Sequence, residues 1–321
     1  MYLKLDYIIQ NEEVCICRCY GYEEVLNLPE QIDGKPVTSL YAYALSASRP
    51  VHAPEGVRQI VLGEEERGFS EEKELSGEMV REVYLPGSLK RIGDYAFYFC
   101  RNLHTLHIQG NLTDLGGGVF MWCKSLSRLV FTNISRDNPG AKSVLGELTR
   151  ELEAELTYED GTHLRLTFPE YYEESVENTP ARIIEIHWHG SGYKYRQCFQ
   201  SAGLNLKHYD ELFPYAVANE FTDTCTRIAV NRLRTPLGLS EGAREQYLAY
   251  LREHGEEIIR QAVTEDDLET VRLFASQELL NREMLEQATM LASRGEKAEL
   301  GSYLMDYKRE HFRTKRRTYE L

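Results

Sequence analysis

Three cysteines alternate near the N-terminus, at Cys15, Cys17 and Cys19. On a β-strand, alternate side chains point to the same face, so the three thiols would lie together. Thiols that converge in this way bind soft metal ions or take part in redox chemistry. Zinc motifs, however, usually separate two cysteines by a two-residue turn, and no second pair follows nearby. The alternative is that these cysteines are small buried residues of an N-terminal capping strand.

A second group with possible metal chemistry contains His187 and His189, which flank Trp188. On a strand both imidazoles would face the same way, and His163 could approach from a neighbouring hairpin. With Glu185 nearby, this set has the ligand types of a three-histidine metal site. Polar residues on the solvent face of a sheet explain the same pattern.

The remaining candidates have simpler explanations. The glycines at 116–118 lack the Lys-Ser/Thr of a phosphate-binding loop and fall on a turn of the repeat described below. A basic run at the C-terminus could contact an acidic partner or nucleic acid, although such a run is usually a solvated helix end; its residues are Lys308, Arg309, Arg313, Lys315, Arg316 and Arg317. The chain shows no nucleophile elbow, HExxH pair, P-loop, kinase set or dinucleotide fingerprint. We therefore predict no catalytic residue, no metal ion and no cofactor.

The first half of the chain contains a repeat with a 23-residue period, since residues 80–102 align with residues 103–125. The fold built from this repeat must position the candidate residues of this half. The apolar matches place Val80, Val83, Leu85, Leu89, Ile92, Ala96 and Phe97 over Leu103, Leu106, Ile108, Leu112, Leu115, Val119 and Phe120. One step forward gives Leu126, Leu129 and Phe131, and one step back gives Val57, Ile60 and Leu62. Each unit reads as a strand and a turn that cannot bury its apolar face alone, so the units should stack into a solenoid with a parallel sheet. Cys100 and Cys123 recur at one position, which indicates a ladder of small buried side chains.

The segment LPGSLKRIGDYAFYFCRNLHTLHI, residues 85–108, resembles the BspA-type leucine-rich repeat of bacterial proteins. The shared pattern is Leu/Ile-Pro-x-x-Leu-x-x-Ile-Gly-x-x-Ala-Phe-x-x-Cys-x-x-Leu. Residues 23–45 resemble the first repeat of such proteins, and the likeness covers about residues 12–134. It implies a leucine-rich repeat solenoid with a binding role and no catalytic residues. The pattern stops after Leu62, where an acidic segment is expected to form a surface loop.

Composition limits the class of protein. The 321 residues are 42% hydrophobic and 27% charged, typical of a globular chain of about two domains. A net charge of −14 argues against nucleic acid or an anionic membrane as the partner of the whole chain. The N-terminus has no basic start followed by an apolar stretch, and the seven cysteines form an odd, scattered set, so we expect a cytoplasmic protein. The resemblance to the BspA-type repeat implies a bacterial one. A chain without its export signal would look the same.

Beyond residue 134 the pattern changes twice. Residues 154–168 predict a hairpin around Asp160-Gly161, and residues 181–199 predict a second one around Gly190-Ser191-Gly192. We expect this β-element, residues 135–205, to continue the solenoid sheet or to cap its open end.

Residues 206–321 predict helices. Ser240 and Asn281 are expected N-caps, Thr264 with Asp267 resembles a capping box, and Gly295 should end a helix. Two stretches align at an offset of 30 residues and resemble ankyrin-type helix pairs, although an ordinary helical bundle fits as well. The predicted fold class is α+β, with a leucine-rich repeat domain over 1–134, the β-hairpin element over 135–205 and a helical domain over 206–321.

Side chains between the buried strand positions should face outward and form a ribbon along the solenoid sheet. The predicted partner-binding residues are Gln59, Glu82, Tyr84, Thr105, His107, Gln109, Arg128 and Thr132, with Val61 and Val130 between them. Tyrosine and arginine are common anchors of protein interfaces. We therefore predict a non-catalytic interaction or scaffold protein that binds a protein partner, and no nucleic acid or membrane. A surface adhesin or a metal-binding protein remain the alternatives.

Overall fold

The apolar periods fold as strands over the first two thirds of the chain and as helices over the last third. The structure, a computed structural model, describes residues 2–63, 74–110, 112–178, 183–200 and 203–312. The strands are β1 (Leu3–Gln10), β2 (Glu13–Gly21), β3 (Val25–Asn27), β4 (Gln31–Ile32), β5 (Lys35–Leu40), β6 (Arg58–Leu62), β7 (Glu82–Leu85), β8 (Arg91–Ile92), β9 (Thr105–Gln109), β10 (Asp114–Leu115), β11 (Arg128–Ile134), β12 (Leu152–Tyr158), β13 (His163–Phe168), β14 (Tyr172–Asn178), β15 (Ile183–His189), β16 (Phe199–Gln200) and β17 (Gly203–Leu204). The helices are α1 (Pro139–Glu147), α2 (Gly192–Arg196), α3 (Leu206–Glu211), α4 (Phe213–Asn219), α5 (Thr222–Arg234), α6 (Glu241–Glu253), α7 (Gly255–Glu265), α8 (Leu268–Ser276), α9 (Arg282–Arg294) and α10 (Ala298–His311). This content confirms the predicted α+β class.

Two compact units divide the chain, Met1–Glu220 and Phe221–Leu321. The first unit contains β1 to β17 with α1 to α4, and the second contains α5 to α10. The predicted β-hairpin element therefore lies in the same unit as the repeats.

The 23-residue period builds one face of the first unit, a sheet in the order β3-β7-β9-β11-β12-β13. Its strands are parallel except for β13, and Val83, Leu106 and Leu129 lie side by side in the register. All three side chains are fully buried. The predicted stacking of units into a parallel sheet is confirmed for these strands.

A second sheet, in the order β10-β8-β5-β2-β1-β6, covers the other side of the repeats, and β4 pairs with β5. Inside, the rings of Phe97 and Phe120 stack with centroids 5.6 Å apart. The Cys100 thiol donates to the carbonyl of Leu45 at 3.2 Å, and the Cys123 thiol donates to the carbonyl of Phe97 at 3.0 Å. Each thiol thus bonds the preceding coil of the solenoid, which confirms the predicted cysteine ladder.

The predicted repeat unit beginning at Val57 is wrong. The strand that follows Val57, β6, pairs antiparallel with β1 in the second sheet, and β3 occupies the place beside β7. Leu26 of β3 is buried in the repeat core, whereas Ile60 of β6 is only half-buried. The apolar residues of this segment therefore belong to an edge strand beside the β1–β2 hairpin and not to a repeat unit. Most of the predicted acidic loop, residues 64–73, lies outside the described residues.

Two buried arginines satisfy backbone carbonyls where the chain is irregular. Arg18 donates to the carbonyls of Tyr43 and Ser48, at 2.8 and 3.0 Å, in the first coil. Arg196 donates to the carbonyls of Leu148 and Pro169, at 2.7 and 2.6 Å. Because a buried carbonyl without a partner is costly, these side chains stabilise the irregular segments whose carbonyls they bond.

Of the two predicted hairpins, one is confirmed and one is wrong. Strands β12 and β13 are antiparallel around Asp160-Gly161 and extend the repeat sheet. Strand β15, however, pairs with the preceding β14, and the chain after Gly190 enters α2. A Cβ atom on Gly192 would lie 2.0 Å from the carbonyl oxygen of Pro169, so this glycine allows close backbone packing and not a hairpin turn.

The second unit is helical, as the sequence predicts. Ser240 and Asn281 cap α6 and α9 through hydrogen bonds from the amides of Ala243 and Met284. Gly295 ends α9. None of the helices in the described part of the chain combines the length and apolar character needed to cross a membrane.

The predicted capping box at Thr264 is wrong, because Thr264 lies inside α7. Asp267 is the N-cap of α8, and its carboxylate accepts from the amide of Thr270 at 3.0 Å.

The 30-residue offset recurs in the turns between helices. Asp266 and Glu296 both have left-handed backbones, with φ of 62° and 56°. The next amides, of Asp267 and Lys297, donate to the carbonyls of Ala262 and Ala292 at 2.8 and 3.0 Å. The pairs α7–α8 and α9–α10 therefore share one turn geometry.

Candidate interaction surface on the repeat sheet

The outward face of the repeat sheet presents the predicted side chains in aligned rows. Glu82, Thr105 and Arg128 form one row across β7, β9 and β11. The next row contains Tyr84, His107 and Val130, and the third row pairs Gln109 with Thr132. We call this set the sheet-face ribbon; its members from the sequence are Glu82, Tyr84, Thr105, His107, Gln109, Arg128, Val130 and Thr132.

Gln59 and Val61 do not belong to this surface. They lie on β6, at the edge of the second sheet, where the side-chain amide of Gln59 donates to Asp6 at 2.8 Å. The reason is the misassigned unit described above, since β3 takes the position that β6 was expected to fill.

Sequence reasoning missed ribbon residues on both flanks. The register adds Val25 and Asn27 on β3, and Glu153 and Glu155 on β12, with Arg165 on β13 opposite Glu155. A signal for β12 was present, because LEAELTY alternates like the other strands of the sheet. Its spacing from β11 departs from 23 residues because α1 lies between them.

Two side chains at the centre of the ribbon are fixed by one carboxylate, that of Glu82. Tyr84 donates its hydroxyl to Glu82 at 2.8 Å, and the His107 Nε2 lies 2.6 Å from the same oxygen. The Tyr84 and His107 rings stack with centroids 3.8 Å apart at 7°. The hydrogen bond from Tyr84, assisted by His107, lowers the pKa of Glu82, and the same bond raises the pKa of Tyr84.

Beside this group, charges alternate in sign across three strands. Arg128 bonds Glu155 at 2.7 Å, and Arg165 contacts Glu153 at 2.7 Å and Glu155 at 3.7 Å. These side chains are half-buried among one another, so their positions are set before any partner arrives. A preorganised surface loses less side-chain entropy when it binds.

A polar cleft of about 400 Å³ opens beside Glu82. Its lining residues are Arg81, Glu82, Asn102, His104, Thr105 and Ser125. His104 is held between the hydroxyls of Thr105 and Ser127, at 3.1 and 3.0 Å. The cleft offers both donors and acceptors, which suits a polar side chain of a partner.

The three N-terminal cysteines do not all share one face. A β-bulge at Cys17 shifts the register, because Ile16 pairs with Tyr7 while Arg18 pairs with Asp6. Cys19 is fully buried and Cys15 is half-exposed. A hydrogen bond from Cys17 lowers the pKa of Cys15 and, with burial, raises the pKa of Cys17.

The three candidate histidines do not come together in the described residues. His187 lies near Glu185 at 3.5 Å, and His189 bonds Glu174 at 2.8 Å. His163 lies on β13, in the repeat sheet, within 3.4 Å of the Thr157 hydroxyl. Within the part of the chain that the structure describes, no three His, Cys, Asp or Glu side chains form a possible metal site.

The triple glycine is a turn, as the repeat predicts. The amide of Gly117 donates to the Asp94 carboxylate at 2.8 Å, and Gly118 has a φ of 60° against the ring of Tyr95.

In the basic run, Lys308 and Arg309 lie on α10 and pair with Glu286 and Asp306. Arg313, Lys315, Arg316 and Arg317 lie outside the described residues.

The comparison with protein families agrees with this geometry. Residues 71–139 match the BspA type leucine-rich repeat region, in six copies. The strands of this region form a solenoid, and its sequence is similar to that of leucine-rich repeats. No curated protein and no solved structure shows a significant match to the chain. Leucine-rich repeats generally act as protein-interaction modules, and the ribbon lies on the sheet that these repeats build.

Proposed function

We propose that this leucine-rich repeat protein is a non-catalytic interaction or scaffold protein that binds a partner protein through the sheet-face ribbon. The observation that carries the proposal is the preorganised centre of the ribbon. There the rings of Tyr84 and His107 stack on each other, and both side chains bond the same carboxylate oxygen of Glu82. Aromatic and arginine side chains held in place are the usual energetic centres of protein interfaces.

The charge pattern indicates the kind of partner. Arg128 and Arg165 alternate with Glu153 and Glu155, so the ribbon has no large field of one sign. A nucleic-acid backbone or an anionic membrane favours a basic surface, whereas mixed charges favour a protein with complementary polar groups.

The helical unit is proposed as a second interaction surface. The 30-residue offset between its two helix pairs, α7–α8 and α9–α10, supports an ankyrin-like repeat of helix pairs. We further propose a bacterial, cytoplasmic protein. Its seven cysteines are free thiols, and thiols persist in a reducing compartment.

The test starts with affinity purification of the full chain from its native host, followed by calorimetry with the purified partner. The double variant Tyr84→Ala/Arg128→Ala should weaken binding by about 30-fold or more, the effect of losing about 2 kcal/mol at an interface centre. Its melting temperature should stay within a few degrees of the wild type, because both side chains are partly exposed on the sheet face.

The double variant Gln59→Ala/Val61→Ala is the matched control, since it removes two exposed side chains from the other sheet. It should bind the partner with unchanged affinity. Unchanged binding by the Tyr84 and Arg128 variant would show that the ribbon is not the interface.

A further inference from the structure

The hairpin β14–β15 forms a sheet of its own. Among the described residues, no other strand pairs with either of its outer edges. Its side chains are exposed on both faces over residues 172–177 and 184–188. A lone two-stranded hairpin is marginally stable in water, and an open strand edge is a template for pairing with another strand.

One face of β15 carries an apolar stripe. Ile184, Ile186 and Trp188 alternate along the strand and are 67%, 51% and 41% exposed. Trp188 stacks on Tyr193 with centroids 4.0 Å apart, which fixes that end of the hairpin to the folded unit. No side chain of the described residues covers the isoleucine end of the stripe in this way.

The edge of β14 disfavours pairing with a second copy of the chain. An antiparallel pair centred on Ser175 would place Glu173 of each copy opposite Glu177 of the other. Like charges opposite each other destabilise a strand pair, so this arrangement contains two repulsive contacts. Charged residues on an edge strand are a common protection against such pairing.

The edge of β15 is self-complementary. An antiparallel pair centred on Ile186 places Ile184 of each copy opposite Trp188 of the other, on the apolar face. On the opposite face, the same register places Glu185 opposite His187. Apolar pairs and pairs that join a carboxylate to an imidazole both stabilise neighbouring strands, and the arrangement obeys two-fold symmetry.

We propose that two copies of the chain associate through β15, in an antiparallel register centred on Ile186. The product is a four-stranded antiparallel sheet in the order β14-β15-β15-β14. This interface uses none of the ribbon residues, so it adds a dimer contact to the proposed function and does not depend on it.

Sedimentation velocity of the full chain tests the association. Over about 1–100 µM, the range of modest protein affinities, the mean mass should rise from that of the monomer towards twice that value. The Ile186→Lys variant should remain monomeric, because it places two like charges on the symmetry axis. Val176→Lys is the matched control, since it changes an exposed residue of β14, and it should still dimerise. Circular dichroism checks that both variants are folded.

Cross-linking tests the register. Directly opposed residues of antiparallel strands have Cβ atoms about 4.5–5.5 Å apart, close to the reach of a disulfide. In a Cys15→Ser background, which removes the one partly exposed native thiol, Ile186→Cys should form a disulfide dimer on oxidation. Ile184→Cys should not, because it faces Trp188 of the other copy.

Two results would overturn the proposal. The first is a wild-type chain that stays monomeric at every concentration, which is also the result expected if a strand of another protein occupies this edge. The second is cross-linking of Ile184→Cys as readily as Ile186→Cys.

Discussion

The close approach of successive solenoid coils makes Gly116 and Gly117 respond differently to the same substitution. The amide of Gly116 donates to the carbonyl of Ile92 in the preceding coil at 2.8 Å. A Cβ atom on Gly116 would lie 2.5 Å from the amide nitrogen of Asp94 and 2.7 Å from the carbonyl carbon of Gly93. Both are backbone atoms, so no flexible side chain can move aside.

Gly116→Ala should therefore force two coils apart and lower the free energy of unfolding by about 3 kcal/mol, the upper part of the range for overpacked sites. In a unit of about 200 residues, each kcal/mol shifts the melting temperature by about 2–4 °C. We expect a decrease of about 6–12 °C in calorimetry of the full chain, with a matching decrease in the urea midpoint.

Gly117→Ala is the adjacent control. Its nearest heavy atom would be the Asp94 carboxylate at 4.0 Å, and the backbone of Gly117 lies outside the left-handed region. Ala restricts the unfolded chain more than Gly, so this variant should be neutral or more stable by about 0.4–1 kcal/mol. If the two variants melt at the same temperature, the coils are not in backbone contact at Gly116 and the reasoning is wrong.

Three further predictions concern single groups. The pKa of Glu82 is lowered in the folded state, so the ionised carboxylate stabilises the fold. This stabilisation is present above the unfolded pKa and is lost as the pH falls through the folded pKa. The difference in urea midpoint between wild type and Glu82→Gln should therefore be present at pH 7 and vanish near pH 2. Cys15 is the partly exposed thiol and its pKa is lowered, so iodoacetamide should label it first in the native protein, and Cys15→Ser should remove the fast phase seen by mass spectrometry. Asp267→Ala should lower the free energy of unfolding by about 1 kcal/mol through loss of the N-cap, whereas Thr264→Ala should change it by less than about 0.5 kcal/mol; equal effects in urea titrations would contradict the capping assignment.

Local patterns predicted the elements that depend on near neighbours. The 23-residue period placed Val83, Leu106 and Leu129 in register, because stacked units of equal length bring equivalent residues side by side. The predicted Asp160-Gly161 turn and the predicted caps at Ser240 and Asn281 are also confirmed, since each depends on residues a few positions apart.

Pairings between distant segments were not predictable in this way. Val57, Ile60 and Leu62 match the apolar period, yet β6 pairs with β1, because a strand edge accepts any strand that reaches it. The alternation of β15 was visible, but its partner is β14 on the N-terminal side and not a strand after Gly190. Alternation specifies the two faces of a strand and does not specify its neighbour.

For the candidate surface, the sequence by itself determined which side chains of β7, β9 and β11 point outward, because the period and the alternation fix the faces of consecutive units. Only the tertiary structure removed Gln59, added Glu155 and Arg165, and joined Tyr84, His107 and Glu82 through one carboxylate. The physical reason is that the face of the sheet to which a side chain points is set by the local alternation along its own strand. Side-chain contacts across strands depend on register and on insertions such as α1, which no repeat length encodes.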